Sequence, residues 1–145
     1  MRVTVESRVH RILRHARQFK RCRQWTEVRS LKSEPTPLNK TEKLLGIFEN
    51  IPSSIDELIV ITTESLYWRQ KNDWEVAKYS NIEKVLWPEL PKDKAQSLSI
   101  RMKNGAVLVM PARDGYWSSF TRFINRVCDD LDPGWYARQT PLQPR

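Results

Sequence analysis

Residues 57–87 read ELIVITTESLYWRQKNDWEVAKYSNIEKVLW, and this stretch decides the fold class. It contains no His, Cys or Gly, and β-branched and aromatic residues dominate it in short runs. Polar residues at Thr63-Glu64 and Lys71-Asn72-Asp73 separate these runs, as turns separate antiparallel strands. We therefore expect the stretch to form the wall of a small binding module, with little in it that could perform catalysis.

The next segment, SLSIRMKNGAVLVM (residues 97–110), predicts a further hairpin. Asn104-Gly105 fits a two-residue type I′ turn, because both residues tolerate positive φ. With these two residues as the loop, Ile100 faces Val109, and cross-strand partners share a face of the sheet. This register predicts a core side made of Leu98, Ile100, Met102, Val107 and Val109. It places Leu108 and Met110 on the opposite side, where an arm helix or a partner would have to cover them.

A helical pattern closes the body of the chain and ends at Pro133-Gly134. Its apolar residues step by three and four, and they are Trp117, Phe120, Ile124, Val127 and Leu131. We expect Phe120 and Ile124 to be buried against the sheet. The acids at the end of this helix oppose its dipole, so a basic neighbour is expected there; they are Asp129, Asp130 and Asp132.

The length of 145 residues predicts one domain with short appendages. We divide the chain into a basic amphipathic helical arm (1–29), a linker (30–40), a body (41–131) and a loose tail (132–145). Pro35 and Pro37 mark the linker as an extended segment. At the start of the body, the apolar spacing from Leu44 to Ile51 predicts a short helix, and because of Gly46 a helix that runs into a strand is the alternative.

The positive charge of the chain lies mostly in its first thirty residues. Residues 1–30 hold nine Lys/Arg against two acids, a net charge of +7, whereas residues 31–145 hold sixteen against fifteen, a net charge of +1. An apolar stripe predicts a helix in this arm, and it consists of Val5, Val9, Ile12, Ala16 and Phe19. The other faces carry the candidate anion-binding or partner-binding residues Arg8, Arg11, Arg14, Arg17 and Arg21. Three interpretations of the arm remain open: docking on the body, binding to anionic lipid, and contact with nucleic-acid phosphates.

The residues that most catalytic and metal sites require are absent or badly spaced. His10 and His15 are the only histidines, and a spacing of five does not bring two ligands to one side of a helix. Cys22 and Cys128 form no paired motif, which favours idle thiols in a reducing cytoplasm. We expect no enzyme, no cofactor and no metal. We also expect no membrane-spanning or secretory segment, because no apolar run approaches about 20 residues.

Three stretches, in this order along the chain, resemble the pleckstrin-homology-like (PH-like) fold, and specifically the bacterial PH-like and GRAM-type domains. They are LIVITTESLYW, YSNIEKVLW and the pair SLSIRMKNGAVLVM with WSSFTRFINRV, and the resemblance covers about residues 44–131. It implies an α+β fold, a small antiparallel barrel or curled sheet capped by a C-terminal helix. In PH domains that bind phosphoinositides, the first hairpin turn usually carries Lys or Arg. Here that turn is Thr63-Glu64-Ser65, so the resemblance implies no such pocket at the usual place.

These observations predict a non-enzymatic PH-like binding module whose partner is a protein or an anionic membrane surface. The alternative is a nucleic-acid-associated factor that acts through the basic arm, and a homo-oligomer also remains open. A partner surface is predicted at Trp68, Arg69, Trp74, Arg101, Leu108 and Met110, because aromatic residues and Arg are common interface anchors. The competing interpretation of the tryptophans is cross-strand packing.

Overall fold

The computed structural model describes residues 4–24, 41–91 and 94–139, and it shows an α+β fold with two antiparallel sheets and a C-terminal helix. The first sheet has five strands, adjacent in chain order: β1 (Phe19–Arg21), β2 (Leu44–Glu49), β3 (Leu58–Thr62), β4 (Ser65–Gln70) and β5 (Asp73–Lys78). The second sheet has three: β6 (Ile82–Val85), β7 (Ser97–Met102) and β8 (Val107–Pro111). Helix α1 (Val5–Ile12) precedes β1, and helix α2 (Trp117–Leu131) follows β8. The predicted linker 30–40 and residues 140–145 of the predicted tail lie outside the described residues.

The two sheets do not close into a barrel. No ladder joins them within the described ranges, so β5 is an edge of the first sheet and β8 an edge of the second. A 3₁₀ turn at Tyr79–Asn81 carries the chain from β5 into β6. At another corner, the Asn50 side chain donates to the carbonyl of Pro111 at 3.1 Å and accepts from the Arg113 backbone N–H at 2.9 Å. This amide therefore ties the end of β2 to the end of β8.

One apolar core fills the space between the inner faces of the two sheets and α2. Phe120 and Ile124 of α2 are fully buried in it, which confirms the sequence prediction. Phe120 packs edge-on against Phe48 of β2 with ring centroids 5.0 Å apart. Leu131, the last residue of the predicted apolar stripe, is exposed instead, because the helix ends there.

The helix predicted from Leu44 to Ile51 is wrong, because this segment forms β2. Between Leu44 and Gly46 the register with β3 shifts, so an extra residue is inserted into β2. The resulting bulge places Leu45 and Phe48 in the main core, whereas Leu44 and Ile47 join a second apolar cluster with Leu58, Val60 and Tyr67. A spacing of three that normally indicates a helix face arises here from a bulged strand.

The arm helix is shorter than its apolar stripe predicts. Helix α1 ends at Ile12, and Phe19 lies in β1, where it pairs with Phe48. Gly46 explains this arrangement, because a Cβ at that position would lie 2.5 Å from Cε2 of Phe19. The space left by the missing side chain admits the Phe19 ring, so Phe19 packs on the sheet as a strand residue.

The predicted register of the last hairpin is wrong by one residue. Ile100 pairs with Leu108, and Leu98 pairs with Met110. The loop contains three residues, since Gly105 N–H donates to the Met102 carbonyl at 2.9 Å and Met102 N–H donates to the Ala106 carbonyl at 2.8 Å. Gly105 has a φ of 91°, which fits a turn followed by a glycine bulge. Met110 is therefore buried and Leu108 packs against the core, while Val107 and Val109 face outward.

Candidate binding surfaces

The apolar stripe of the arm is used inside the molecule. Thr4 caps α1, and its hydroxyl accepts from the Ser7 N–H at 3.1 Å. From α1 and the turn after it, Val9 and Leu13 are buried in the main core. Val5, Ile12, Ala16 and Phe19 are partly buried and pack against the same core. Helix α1 contacts α2, and the described stripe residues pack in or against the main core rather than on the outer face of the β7–β8 hairpin, where we expected an arm helix to pack.

Arg8 also serves this internal docking. Its guanidinium donates two hydrogen bonds to the Asp130 carboxylate, from Nε to Oδ2 at 2.8 Å and from Nη2 to Oδ1 at 2.9 Å. These bonds raise the pKa of Arg8 above its ordinary value. The expectation of a basic neighbour for the acids that end α2 is thereby confirmed at Asp130. Asp132 pairs with Arg138, and Asp129 accepts from the Tyr136 N–H.

The remaining predicted arm residues are exposed, and we call Arg11, Arg14, Arg17 and Arg21 the basic face. Arg14 donates to Nε2 of His10 at 2.7 Å and to Nε2 of His15 at 3.1 Å. Both histidines therefore act as acceptors for one guanidinium. A cleft of about 590 Å³ lies beside this face, and its lining includes His10, Arg14, Arg21, Val9, Phe19 and Leu45.

The partner surface predicted from the tryptophans is not one surface. Trp68 and Met110 are fully buried in the core, so neither is available to a partner. Leu108 is half-buried beside that core. Arg69 lies over the Trp74 ring at 5.7 Å, next to the second apolar cluster. Arg101 stands apart from them, in β7 of the other sheet.

Three of the six large apolar residues that are exposed in the described ranges lie on the two strand edges, and the other three, Trp87, Leu90 and Leu131, lie elsewhere. The exposed fractions of Val76 in β5 and of Val107 and Val109 in β8 are 46%, 50% and 47%. We call these three residues the valine edge. A cleft of about 510 Å³, lined by Val76 and Leu108 among others, lies between the two strands. A second cleft of about 480 Å³, lined by Arg69 and Val109 among others, continues beyond the β4–β5 turn.

The exposure of Val107 and Val109 was not predicted from the sequence, because the predicted register of the hairpin was wrong by one residue. In a strand, a shift of one residue moves every side chain to the opposite face. The two-residue loop assigned Val107 and Val109 to the core, and the three-residue loop exposes them. The sequence Lys103-Asn104-Gly105 is compatible with both loops. Asn-Gly suits the two-residue turn, and glycine at the third position suits the three-residue turn with a bulge.

The described ranges hold few groups suited to acid–base or metal chemistry. No cluster of three or more His, Cys, Asp or Glu side chains that could hold a metal ion is found there. Burial raises the pKa of the Cys128 thiol to about 12, and burial also raises the pKa of Tyr79 well above its usual range. The Tyr67 hydroxyl donates to Glu42, and burial together with this bond raises the Tyr67 pKa. These environments favour the protonated forms.

None of the helices in the described ranges has the length and apolar character needed to cross a membrane. Comparisons with protein-family models, with curated proteins and with solved structures find no match to this chain.

Proposed function

We propose that this chain is a non-enzymatic binding module with a PH-like fold, and that it binds a protein partner. The element order supports the fold proposal: four consecutive strands (β2–β5), three further strands (β6–β8) and a closing helix (α2) follow one another as that fold requires. Helix α1 and strand β1 are then additions at its N-terminal side.

The valine edge carries the proposal of a protein partner. Exposed apolar residues that flank open clefts on two strand edges commonly mark interaction sites. A membrane partner has less support, because the apolar stripe of the arm packs on the core and is not available for insertion into lipid. Cys22 and Cys128 are buried and form no disulfide, which supports a cytoplasmic location for the module.

A binding experiment with matched variants tests this function. The immobilised protein, a Val107→Ser/Val109→Ser variant and a Leu131→Ser control capture proteins from an extract of cells that express the chain. Leu131 is 50% exposed on α2, so the control removes a similar exposed side chain away from the edge. We expect a protein that is lost from the double variant, retained by the control, and bound directly when purified. A partner that ignores both valines would overturn the assignment.

The basic face supports a second candidate, contact with nucleic-acid phosphates. Arg11, Arg14, Arg17 and Arg21 are all exposed, and Arg21 pairs with the exposed Glu6 at 3.3 Å. Non-specific binding through such a face should weaken linearly in log–log plots against salt, with a slope of roughly −0.9 per phosphate contact.

Charge reversal separates this candidate from general electrostatic attraction. Changing Arg11, Arg14 and Arg17 to Glu should abolish binding to a labelled DNA duplex. Changing Arg122 and Arg126, which are exposed on α2, should weaken it far less. Arg8 is left unchanged because it holds Asp130. Equal losses in the two sets would argue against a defined nucleic-acid site on the arm.

A further inference from the structure

The hydrogen-bond pattern of the last hairpin determines which backbone groups of β8 face outward. In an antiparallel ladder, residue pairs that exchange hydrogen bonds alternate with pairs that do not. Met102 N–H bonds to the Ala106 carbonyl at 2.8 Å, and Ala112 N–H bonds to the Gln96 carbonyl at 2.9 Å. Between these two, the bonded pairs must be Ile100 with Leu108 and Leu98 with Met110. Val107 and Val109 therefore turn their N–H and C=O groups away from β7.

This free edge opens onto the cleft of about 510 Å³ between the hairpin and β5. The next outward position is occupied by Pro111, which has no N–H and whose carbonyl accepts from Asn50. Proline in a strand is tolerated where its missing N–H would have faced solvent, which agrees with the assigned pattern. The part of the edge that an extended chain can pair with is thus short, from Val107 to Val109.

The two faces beside this edge differ in chemistry. On the inner side, the cleft has an apolar part made of Val76, Met102, Ala106 and Leu108, and it is also lined by Glu75, Lys78, Asn81, Lys103 and Asn104. On the outer side, Lys84, Arg101 and Val107 form one row across the three strands. None of the three cations Lys84, Arg101 and Lys103 makes a salt bridge with a carboxylate of the described residues. The cleft is lined by one acid, Glu75, against two cations, Lys78 and Lys103.

We propose that the Val107–Val109 edge of β8 receives an extended segment of a partner protein in which apolar residues alternate with Asp or Glu. Backbone pairing with Val107 and Val109 adds the segment to the sheet as a fourth strand. Because side chains alternate along a strand, every second residue then enters the cleft beside Leu108, and the others lie beside Val107 and Val109 on the face that carries Arg101. An apolar residue of the first set packs against Val76 and Leu108. An acidic residue of the second set reaches the Arg101 guanidinium across Val107, the residue with which Arg101 pairs.

This inference rests on the proposed function and specifies the partner's chemistry. A second copy of the chain is a poorer occupant of the same edge. Antiparallel pairing of two β8 edges would place Val107 and Val109 of both copies beside one another, with no acidic side chain on either β8 strand to pair with Arg101 of either copy.

A peptide selection supplies the test. A displayed library of random ten-residue peptides is selected on the immobilised full chain, and enriched peptides are synthesised and measured by fluorescence anisotropy. We expect enriched sequences to alternate apolar and acidic residues. Arg101→Glu with Lys103→Glu should weaken their binding at least tenfold. Enrichment without such alternation would overturn the proposal.

Val109→Pro examines the backbone contact directly. It removes an outward N–H and leaves the ladder with β7 intact, so the melting temperature should change little while peptide affinity falls at least tenfold. Val76→Pro is the matched control on β5. Tyr79 N–H bonds to the Glu64 carbonyl, and the alternation of bonded pairs along the β4–β5 ladder then turns the Val76 N–H away from β4. Loss of binding in the Val76 variant alone would assign the site to β5 and overturn the proposal.

The remaining outcomes are also decisive. If Val109→Pro does not fold, the charge-reversed variant decides, and unchanged peptide affinity in it refutes the proposal. A concentration-dependent dimer in light scattering that Val109→Pro abolishes would identify a second copy as the occupant, and would overturn it likewise. If peptides fail but a natural protein still requires Val107 and Val109, strand addition is rejected and the proposed function stands.

Discussion

The ion pair between Arg8 and Asp130 offers a direct test of whether the arm belongs to the folded body. We consider a double-mutant cycle with Arg8→Ala and Asp130→Ala. The side chains of the pair are only 17% and 23% exposed, and two hydrogen bonds join them at 2.8 and 2.9 Å. The exposed pair of Arg21 and Glu6 is the control, since its side chains are 58% and 56% exposed and 3.3 Å apart.

The expected coupling energies follow from this geometry. A hydrogen bond to a charged group contributes about 1.5–3 kcal/mol when well shielded from solvent. Residual exposure lowers this, so we expect a coupling of about 1–2 kcal/mol for Arg8 with Asp130. The exposed control pair should couple by less than about 0.5 kcal/mol.

The sharpest expectation is the sign of the change in stability that Asp130→Ala causes when Arg8 has already been replaced by Ala. Asp130 lies in the last turn of α2, where a negative charge opposes the helix dipole. In the Arg8→Ala background, Asp130→Ala should therefore stabilise the protein by about 0.3–1 kcal/mol. In the unmodified protein the same change should destabilise it. Urea unfolding of the four proteins at low salt provides the measurement. A coupling no larger than that of the control pair would show that this ion pair does not hold the arm.

Three further predictions concern packing and protonation. Phe120→Ala should cost about 3–5 kcal/mol in urea unfolding, because the side chain is fully buried against Phe48; a loss below about 1 kcal/mol would place that helix face in solvent. Gly46→Ala should lower the free energy of unfolding by about 1–3 kcal/mol. Adding Phe19→Leu should restore only part of this stability, because the added Cβ also lies 2.9 Å from the Lys20 carbonyl oxygen. Full restoration would contradict this close backbone approach. Burial raises the pKa of the Cys128 thiol from an ordinary value of 9.0 to about 12, so iodoacetamide should label this thiol at pH 8 only when the protein unfolds. The stabilisation that comes from keeping the buried thiol protonated should be lost as the pH rises from 9.0 toward 12, because the thiol of the unfolded chain ionises first. Mass spectrometry with and without urea measures the labelling, and rapid labelling of the native protein would contradict the burial of this thiol.

The elements that follow from local periodicity were predictable. Helix α2 repeats apolar residues every three or four positions over four turns, and a helix is the one regular structure that gathers them on one face. Strands β3, β4 and β5 are short runs separated at the turns expected from Thr63-Glu64 and Lys71-Asn72-Asp73, although β5 already begins at Asp73. In both cases the information lies within a window of a few neighbouring residues.

The errors arose where the outcome depends on distant partners. The bulge in β2 is defined by its pairing with β3, and a single sequence window cannot show that Leu44 and Leu45 enter different cores. The position of Phe19 in β1 likewise depends on Gly46, which leaves room for the Phe19 ring. Local propensity favours continuation of the helix there, and tertiary packing overrides it.

The candidate site was the least predictable part, because it depends on a loop length. Two loops, of two or three residues, are both compatible with Lys103-Asn104-Gly105, and they differ little in local turn energy. The core decides between them. The shorter loop would bury Val107 and Val109 and expose Leu108 and Met110, which buries less apolar surface than the observed arrangement. The three-residue loop therefore buries the larger side chains, Leu108 and Met110, and leaves two smaller β-branched residues, Val107 and Val109, exposed on the edge strand. An edge of this kind is a hazard for self-association unless charge protects it. Arg101 in the neighbouring strand and Lys103 in the adjoining turn supply such charge, and under the strand-addition proposal the same two cations would favour an acidic strand over a second copy.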